Sequence, residues 1–382
     1  MLPTASRKKS SAVETKLYVA FELGWTKWKL AFGARVDEKP WHTTIGARDI
    51  RALTEAIARA RRKVWLSETS SVASCYEAGR DGFWLDRLLA QMGVMNVVVD
   101  SSSIGVNRRA RRAKSDRLDA TKLLAMLMRH QAGERGVWSV VRPPTPEQED
   151  ARHLQREIRT LKKEKTRLVN RVRGLLASQG VAARMGRRGL VVPVTSLRIW
   201  DGSMVPPGLR RRIECEMARH EVVHRQVLEL EGERDRKIRE GNSVPCQKAR
   251  RLMQLRAVAE ASAETLSREF LYRDFRNRRQ VGGLSGLSPT PYQSGESSRE
   301  RGISRAGNRH VRGIAVDLAW QWLRHQPQSK LSRWYEERFG KGGPRMRKIG
   351  IVAMARKLLI ALWRYAEFAE LPEGALLKEQ AA

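Results

Sequence analysis

The sequence predicts an α/β domain followed by two mainly helical regions. Short apolar segments of strand length alternate with segments of helical spacing as far as His130. Prolines at 143, 144 and 146 interrupt this pattern, and two long helical patterns follow. Gly- and Pro-rich sequence then separates further apolar helices. We therefore divide the chain into a flexible basic arm at 1–16, an α/β domain at 17–143, a helical arm at 144–246, a helical domain at 247–370 and a tail at 371–382.

The α/β domain is predicted to alternate strands and helices in a specific order. The strands are short apolar runs or alternate apolar with polar residues, and we place them at 17–21, 28–32, 41–45, 72–76 and 94–99. The helices have apolar residues three or four positions apart, and we place them at 49–64, 83–92 and 116–130. The order is strand, strand, strand, helix, strand, helix, strand, helix. That order is typical of a ribonuclease H-like fold.

The helical arm is predicted to consist of two long helices, at 147–178 and 209–240. The first has apolar residues on a heptad that Lys165 interrupts. Two such helices around an aperiodic segment predict an antiparallel coiled coil, which serves either as a spacer or as a dimerisation element that presents Arg and Lys to nucleic acid. His220 and His224 have metal-ligand spacing, but without a third ligand a solvated face or the helix seam is the favoured interpretation.

The C-terminal region combines helices with a segment that cannot be a long helix. Helical spacing runs through Leu252 to Leu266, and apolar helices are predicted at 311–323 and 349–366. Between them, residues 282–291 contain three glycines and two prolines, which break helices. The sequence therefore predicts a compact helical domain with an irregular insertion.

The chain carries a large positive charge. Its 382 residues include 74 Lys and Arg against 41 Asp and Glu, a formal net charge of +33. Such a surplus attracts polyanions by steering and counterion release. The basic residues are spread along the chain without a single basic amphipathic helix, which disfavours a membrane surface as the partner. Because 41% of the residues are hydrophobic, the composition predicts a folded nucleic-acid-binding protein.

Cysteine spacing and hydropathy predict a cytoplasmic location. Cys75, Cys215 and Cys246 are far apart and match no zinc or disulfide pattern. No apolar run approaches the roughly 18–20 residues that span a membrane. Residues 1–16 are polar and basic, without the apolar core of a signal peptide. We therefore expect no membrane partner.

Four acidic residues lie where a metal-dependent nuclease needs them. Glu22 and Glu77 each end an apolar strand, and Asp116 and Asp119 lie three residues apart on one face of a helix start. Carboxylate oxygens are ligands that Mg²⁺ prefers, and two such ions can activate phosphoryl transfer. The alternative is that Asp116 favours the helix dipole and Asp119 pairs with a nearby lysine.

A basic run immediately before the Asp pair favours the metal-site interpretation, because it would place phosphates beside the carboxylates. The run contributes five cationic candidates for nucleic-acid binding: Arg108, Arg109, Arg111, Arg112 and Lys114.

Ser294 is a candidate nucleophile in a segment followed by many arginines. A serine attacks phosphate when its proton is removed and cations stabilise the charge that develops. Spacing alone favours an ordinary loop serine, since five other serines are nearby. The candidate phosphate-binding residues of this segment are Arg299, Arg301, Arg305, Asn308 and Arg309.

Three segments, 75–82, 107–120 and 287–309, carry a family resemblance. They hold the second acidic position, the Asp pair with its basic run, and the Ser294-Gly295 dipeptide with the downstream arginines. With these motifs the chain resembles the DEDD-type insertion-sequence transposases of the IS110 family, which are described as bridge-RNA-guided recombinases. The resemblance extends from about residue 17 to residue 366.

The resemblance implies a RuvC-like N-terminal domain, a coiled-coil arm and a helical transposase domain. It implies that Glu77, Asp116 and Asp119 bind Mg²⁺ and that Ser294 forms a covalent phosphoserine link to DNA. It further implies dimers that pair into tetramers on DNA, a site shared between subunits, a structured guide RNA and a bacterial, nucleoid-associated protein.

The chain departs from the family pattern at two places. The first acidic position is aspartate in the family and Glu22 here, so its carboxylate stands one methylene further from the backbone. Residues 255–263 lie where a Gly-containing helix-hairpin-helix turn is expected and contain no glycine. The alternatives to a serine recombinase are a metal-dependent junction nuclease without serine chemistry and an inactive nucleic-acid-binding copy.

Overall fold

The chain divides into two compact units, 1–144 and 145–382. The computed structural model describes residues 16–104, 116–182, 184–186, 189–294 and 297–378. The side chains of 116–117, 291–294 and 297–301 lie outside that description. The basic run at 108–114, most of the arm at 1–16 and the last four residues of the tail also lie outside the described residues.

The N-terminal unit is built on a five-stranded mixed sheet with the order β3-β2-β1-β4-β5. Its strands are β1 Leu17–Leu23, β2 Lys27–Gly33, β3 Trp41–Gly46, β4 Val72–Glu77 and β5 Met95–Val99. The first three form an antiparallel meander, whereas β4 pairs parallel with both β1 and β5. The mixed α/β class that the sequence predicts is confirmed.

Three helices cover the two faces of this sheet: α1 Ile50–Lys63, α2 Trp84–Gln91 and α3 Asp116–Gln131. Alternate residues of each strand point to opposite faces. On one face, strand residues such as Phe21 share a hydrophobic core with Leu53 of α1 and Leu85 of α2. On the other face, Ala20 and its neighbours share a second core with α3. The sheet is therefore the middle of three layers.

The second unit begins with α4 Pro146–Asp150, α5 His153–Ala177 and α6 Pro207–Glu240. The single helix predicted at 147–178 is wrong, because the chain turns at 151–152 between α4 and α5. Arg152 lies at this turn and is buried, and its guanidinium carbon is 4.3 Å from the centroid of the Tyr272 ring. Its Nε also donates to the Arg268 carbonyl at 3.1 Å, so the break directs this side chain into the bundle.

Helices α5 and α6 pack against each other in opposite directions. Three contacts show this: Lys162 with Glu231, Lys165 with His224, and Arg171 with Glu216. As the residue number increases along α5, the residue number of the partner in α6 decreases. The seam between the helices is not purely apolar, since Glu216, His220 and Arg234 are buried beside Ile213 and Val227. The helix pair is present, and its supercoiling stays a prediction.

The rest of the unit is a helical bundle that carries one β-hairpin. Its helices are α7 Val244–Met253, α8 Glu260–Glu269, α9 Arg278–Ser285, α10 Arg309–His325, α11 Lys330–Tyr335 and α12 Pro344–Phe368. They share one hydrophobic core around Trp322 and Leu358. Short strands β6 Met185–Gly186 and β7 Gly189–Leu190 lie between α5 and α6, and the hairpin is formed by β8 Pro289–Ser294 and β9 Ser297–Ile303. Along the described ranges, no helix is both apolar enough and long enough to cross a membrane.

Candidate active site

Glu22 and Glu77 lie on the same face of the sheet. In β1, Phe21 belongs to the core beneath α1 and α2, whereas Ala20 belongs to the core beneath α3. In β4, Tyr76 and Cys75 divide between the two cores in the same way. Because strand residues alternate, the glutamates that follow Phe21 and Tyr76 point to the α3 face.

The strand register also places the two glutamates at the same level. The last residue pair between the parallel strands is Phe21 with Tyr76, so Glu22 and Glu77 occupy the next position of each strand. Neighbouring strands are about 4.8 Å apart. Glu77 is exposed and Glu22 is half-buried. Both carboxylates therefore stand side by side where β1 and β4 end.

Helix α3 brings Asp119 toward the same end of the sheet. A Cβ on Gly33, which pairs with Tyr18 at the start of β1, would contact Leu124 and Met128. Further along the sheet, the Cys75 Sγ donates to the Leu123 carbonyl at 3.7 Å. Helix α3 therefore runs antiparallel to β1, with its N-terminal turn near the ends of β1 and β4.

The N-terminal turn of α3 starts at Asp116 and includes the half-buried Asp119. Among the side chains that the structure describes, no three His, Cys, Asp or Glu residues are grouped closely enough to hold a metal ion. The side chain of Asp116 is not among them. Glu22, Glu77 and Asp119 are among the described side chains, so as described they form no such group. Their backbone positions nevertheless lie toward one edge of the sheet, and Asp116 begins the helix there.

Lys29 is a residue near this edge that sequence reasoning missed. The β1–β2 register pairs it directly with Glu22. It lies two residues before Ala31 in β2, so it points to the same α3 face. Opposite charges in cross-strand pairs stabilise a sheet modestly. The signal was present in the sequence, because a hairpin centred on 24–27 makes 22 and 29 opposite each other.

Ser294 lies at the end of β8, in a hairpin rather than in the loop the sequence suggested. Its backbone pairs with Ser297 across the turn. The base of the hairpin is fixed by two close backbone approaches: a Cβ on Gly286 would lie 1.9 Å from the Ala306 carbonyl oxygen, and one on Gly307 would lie 2.0 Å from that of Leu284. Only glycine allows these contacts without a shift of the backbone.

The predicted nucleic-acid-binding residues around this hairpin differ in their surroundings. Arg305 and Arg309 are exposed. Arg299 and Arg301 belong to β9, and their side chains lie outside the description. The Asn308 side chain accepts from the His310 amide at 2.8 Å, which caps α10, and its amide donates to Glu269 at 2.9 Å. The structure thus gives Asn308 an internal structural role, while its contact with nucleic acid stays a prediction.

Glu269 is a buried acid that sequence reasoning missed. It accepts two hydrogen bonds from Arg156, from Nε at 2.6 Å and from Nη2 at 2.9 Å, in addition to the one from Asn308. Burial alone would raise the pKa of Glu269, but the hydrogen bonds from Arg156 and Asn308 outweigh burial and hold it below its usual value. This carboxylate therefore ties α5 to the cap of α10, at the base of the Ser294 hairpin.

Comparison with known proteins shows that this is a transposase. Over 388 residues it is 37% identical to a putative transposase, y4rJ, of Sinorhizobium fredii strain NGR234, and the match covers 98% of this chain and 97% of the relative. It is 24% identical over 252 residues to the transposase for insertion sequence element IS1111A of Coxiella burnetii, covering 65% and 66% of the two chains.

The chain belongs to the IS110 family of insertion-sequence transposases. Residues 249–333 match the family described as Transposase IS116/IS110/IS902. The matched region runs from α7 to α11 and includes the hairpin with Ser294.

Proposed function

We propose that this transposase cuts and rejoins DNA by Mg²⁺-dependent phosphoryl transfer in a divided active site. One part comprises Glu22, Glu77, Asp116 and Asp119, and the other is Ser294. The observation that carries the proposal is that the backbone positions of two strand-end glutamates and the start of α3 lie toward one edge of the sheet. A two-metal site for phosphoryl transfer is held by carboxylates of this kind.

The sheet topology supports a RuvC-like interpretation of the N-terminal unit. An antiparallel β1–β2–β3 meander continues through β1 into the parallel strands β4 and β5. Glu22 and Glu77 then lie on adjacent central strands, and α3 crosses the same face. This is the arrangement that the order of sequence elements predicts for a ribonuclease H-like nuclease.

The four acidic positions suit Mg²⁺, because carboxylate oxygens are hard ligands of the type this ion takes. Glu22 and Glu77 would bind it from the strand ends, and Asp116 and Asp119 from the helix. When bound, Mg²⁺ stabilises negative charge on a reacting phosphate and favours the deprotonated form of an attacking hydroxyl. Lys29 lies opposite Glu22, whose stem is one methylene longer than that of the family's aspartate, across the β1–β2 hairpin.

Ser294 would act as the nucleophile toward a DNA phosphodiester. Its Oγ forms a bond to phosphorus as the bond from phosphorus to one DNA oxygen breaks. The serine proton passes to a base, and the departing oxygen takes up a proton to become a DNA hydroxyl. Attack by another DNA hydroxyl on the phosphoserine restores the diester and frees Ser294, so bonds are exchanged without an energy source.

The basic residues would hold DNA around both parts of the site. Arg305 and Arg309 are exposed near the hairpin base, and Arg299 and Arg301 follow Ser294 in β9. The basic run at 108–114 precedes α3 in the sequence. Guanidinium groups bind phosphate oxygens with charge-assisted hydrogen bonds, which also stabilise charge during transfer.

A structured RNA would select the DNA partners, and subunit pairing would assemble the complete site. The net charge of +33 supports the binding of more than one polyanion. The antiparallel α5–α6 pair supports a coiled-coil arm for dimerisation. Dimers that pair on DNA would bring the acidic edge of one subunit to Ser294 of another, in the bacterial cytoplasm at the nucleoid.

The test is the detection of a covalent protein–DNA adduct. Full-length protein is incubated with its candidate RNA, both DNA substrates and Mg²⁺, and adducts are separated on denaturing gels. We expect an adduct that Ser294→Ala abolishes. Ser297→Ala is the matched control, because Ser297 pairs with Ser294 across the same hairpin. Glu77→Gln is expected to remove both cleavage and adduct.

Two other outcomes would assign this protein a different activity. Metal-dependent cleavage that survives Ser294→Ala identifies a junction nuclease without serine chemistry. Binding of both DNAs without cleavage under all metal conditions identifies an inactive copy.

A further inference from the structure

Trp25 is an exposed aromatic residue close to the acidic edge, the end of the sheet at which Glu22 and Glu77 lie. It lies in the turn between β1 and β2, where the Gly24 amide donates to the Lys27 carbonyl at 3.1 Å. Its side chain is 63% exposed. Trp25 follows Glu22 by three residues, so its Cα lies within about 11 Å of that of Glu22.

Two arginines lie over the Trp25 ring. The guanidinium carbons of Arg48 and Arg80 are each 4.9 Å from the ring centroid, within the range of cation–π attraction. Arg48 Nη1 also donates to the Trp25 carbonyl at 3.3 Å. Arg80 follows Glu77 by three residues, as Trp25 follows Glu22. The cluster is therefore built from the loops that leave the two strands bearing the glutamates, with Arg48 added from the segment after β3.

Asp81 holds the two arginines in place. Its side chain is only 8% exposed. Oδ1 lies 3.6 Å from Arg48 Nη2, and Oδ2 lies 3.3 Å from Arg80 Nη2. Arg48 has a left-handed backbone, with φ 66°, which is uncommon for a residue with a side chain. Within the described part of the chain, one N–H group of Arg48 and one of Arg80 donate hydrogen bonds, out of five on each guanidinium. The approach of Arg48 to Asp81 is an ion pair without a hydrogen bond.

We propose that Trp25, Arg48 and Arg80 bind an unpaired stretch of the DNA strand next to the acidic edge. A base would lie against the exposed part of the Trp25 ring, and flanking phosphates would take the remaining guanidinium donors. Aromatic rings among cations are the usual means of holding single strands, because every base has a face that can stack. Two arginines against one Asp81 leave the cluster a net positive charge, complementary to DNA.

We expect the bound DNA to be single-stranded at this point. The bases of a duplex are stacked on one another and present no face to a side chain, so a base can stack on Trp25 only where the duplex is open. The inference rests on the proposed function, since it assumes that DNA lies across the edge formed by Glu22 and Glu77. It adds to that function a contact that separates the strands near the cleaved phosphate.

The first test is photo-crosslinking with a single-stranded oligonucleotide that contains 5-iododeoxyuridine. Full-length protein is irradiated in EDTA, at a salt concentration that suppresses nonspecific binding, and the crosslinked peptide is identified by mass spectrometry. We expect the crosslink at Trp25. A crosslink confined to other peptides overturns the proposal.

The second test compares affinities in EDTA for single-stranded and duplex oligonucleotides. Trp25→Ala is expected to weaken single-strand binding about 5- to 150-fold, the range for loss of one stacked base, and to change duplex binding less than about twofold. Trp25→Phe keeps a ring and should retain most of the affinity. Trp65→Ala is the matched control, since Trp65 is 94% exposed in the same unit and should be neutral.

Arg80→Gln reports on the phosphate contact independently of the ring. It is expected to lower the salt dependence of single-strand binding by about 0.7 in the log–log slope, the value for one phosphate contact. Unchanged binding by both Trp25→Ala and Arg80→Gln overturns the proposal. So does a loss seen only with an RNA oligonucleotide of the same sequence, which would assign the cluster to RNA.

Glu77→Gln separates this inference from the proposed function. That variant should lose strand cleavage in Mg²⁺ yet bind the single strand in EDTA as the wild type does. If the proposed function fails alone, cleavage is absent while the Trp25 crosslink remains. If this inference fails alone, cleavage is present and single-strand binding does not depend on Trp25.

Discussion

Replacement of Gly307 by alanine tests how the hairpin that carries Ser294 is held. Gly307 has φ 76°, where a Cβ costs about 1–2 kcal/mol. That Cβ would lie 2.0 Å from the Leu284 carbonyl oxygen, so the two backbones must separate by about 1.4 Å to reach ordinary contact. The movement breaks the hydrogen bond from the Asn308 amide to the same oxygen, 3.1 Å long, at a further cost of about 1–3 kcal/mol. We expect a destabilisation of about 2–5 kcal/mol, the sum of the two contributions.

Gly302→Ala is the matched control. Gly302 lies in the same hairpin with φ 83°, but a Cβ there has nothing within 4 Å. It should therefore cost only about 1–2 kcal/mol, the backbone term alone. Hydrogen exchange of peptides across 284–308 measures both variants locally, and urea denaturation measures them globally. Equal destabilisation by the two alanines would refute the argument that close packing at Gly307 fixes the hairpin.

Three further predictions concern buried and acidic groups. Burial, together with the charges of nearby Lys165 and His224, lowers the pKa of His220, so the folded chain loses stability as the pH falls below about 6.5. His220→Leu should remove that part of the acid sensitivity and stabilise the protein by about 1 kcal/mol at neutral pH, measured by urea denaturation across pH. Glu269→Gln should cost about 1–2 kcal/mol at neutral pH, and because the folded pKa of Glu269 is lowered, the difference from wild type should shrink below about pH 4. Glu77→Gln should reduce Mg²⁺-dependent strand cleavage at least about 100-fold at unchanged DNA affinity, measured by gel assay.

Each of these three predictions is contradicted by a different result. An acid-side slope that persists in His220→Leu would place the titrating group elsewhere. A Glu269→Gln variant as stable as the wild type at neutral pH would mean that the pair with Arg156 contributes nothing net. Cleavage retained in Glu77→Gln would remove that carboxylate from the proposed metal site.

The sheet could be predicted from sequence because its strands are short and strongly apolar. Leu17, Val19 and Phe21 read as a strand whatever packs on it, and the turn at Gly24 fixes the next strand. The two glutamates were found for the same reason, since each directly follows such a run. Lys29 was missed although the turn at 24–27 already places it opposite Glu22. Trp25 and Arg80 were missed because only the loop contacts show that they lie together near those glutamates.

The helical unit was harder to predict at its polar positions. Glu216, His220 and Arg234 lie in the α5–α6 seam, where heptad reasoning expects apolar residues. Arg171 and Arg219 make the burial of Glu216 possible, and such pairings across two helices are not encoded in local spacing. The break at 151–152 was missed likewise, because the contact of Arg152 with Tyr272 joins residues far apart in sequence.

The placement of the acidic residues bears on how this protein folds. Glu22, Glu77 and Asp119 stand at strand ends and in a helix turn, outside the two cores that cover the sheet. Folding of the N-terminal unit therefore does not require neutralisation of these charges in its interior. Like charges brought together at this edge, as proposed, would cost stability that the rest of the unit offsets. Amide variants at this edge should fold at least as well as the parent, which makes them suitable for trapping intact complexes with nucleic acid.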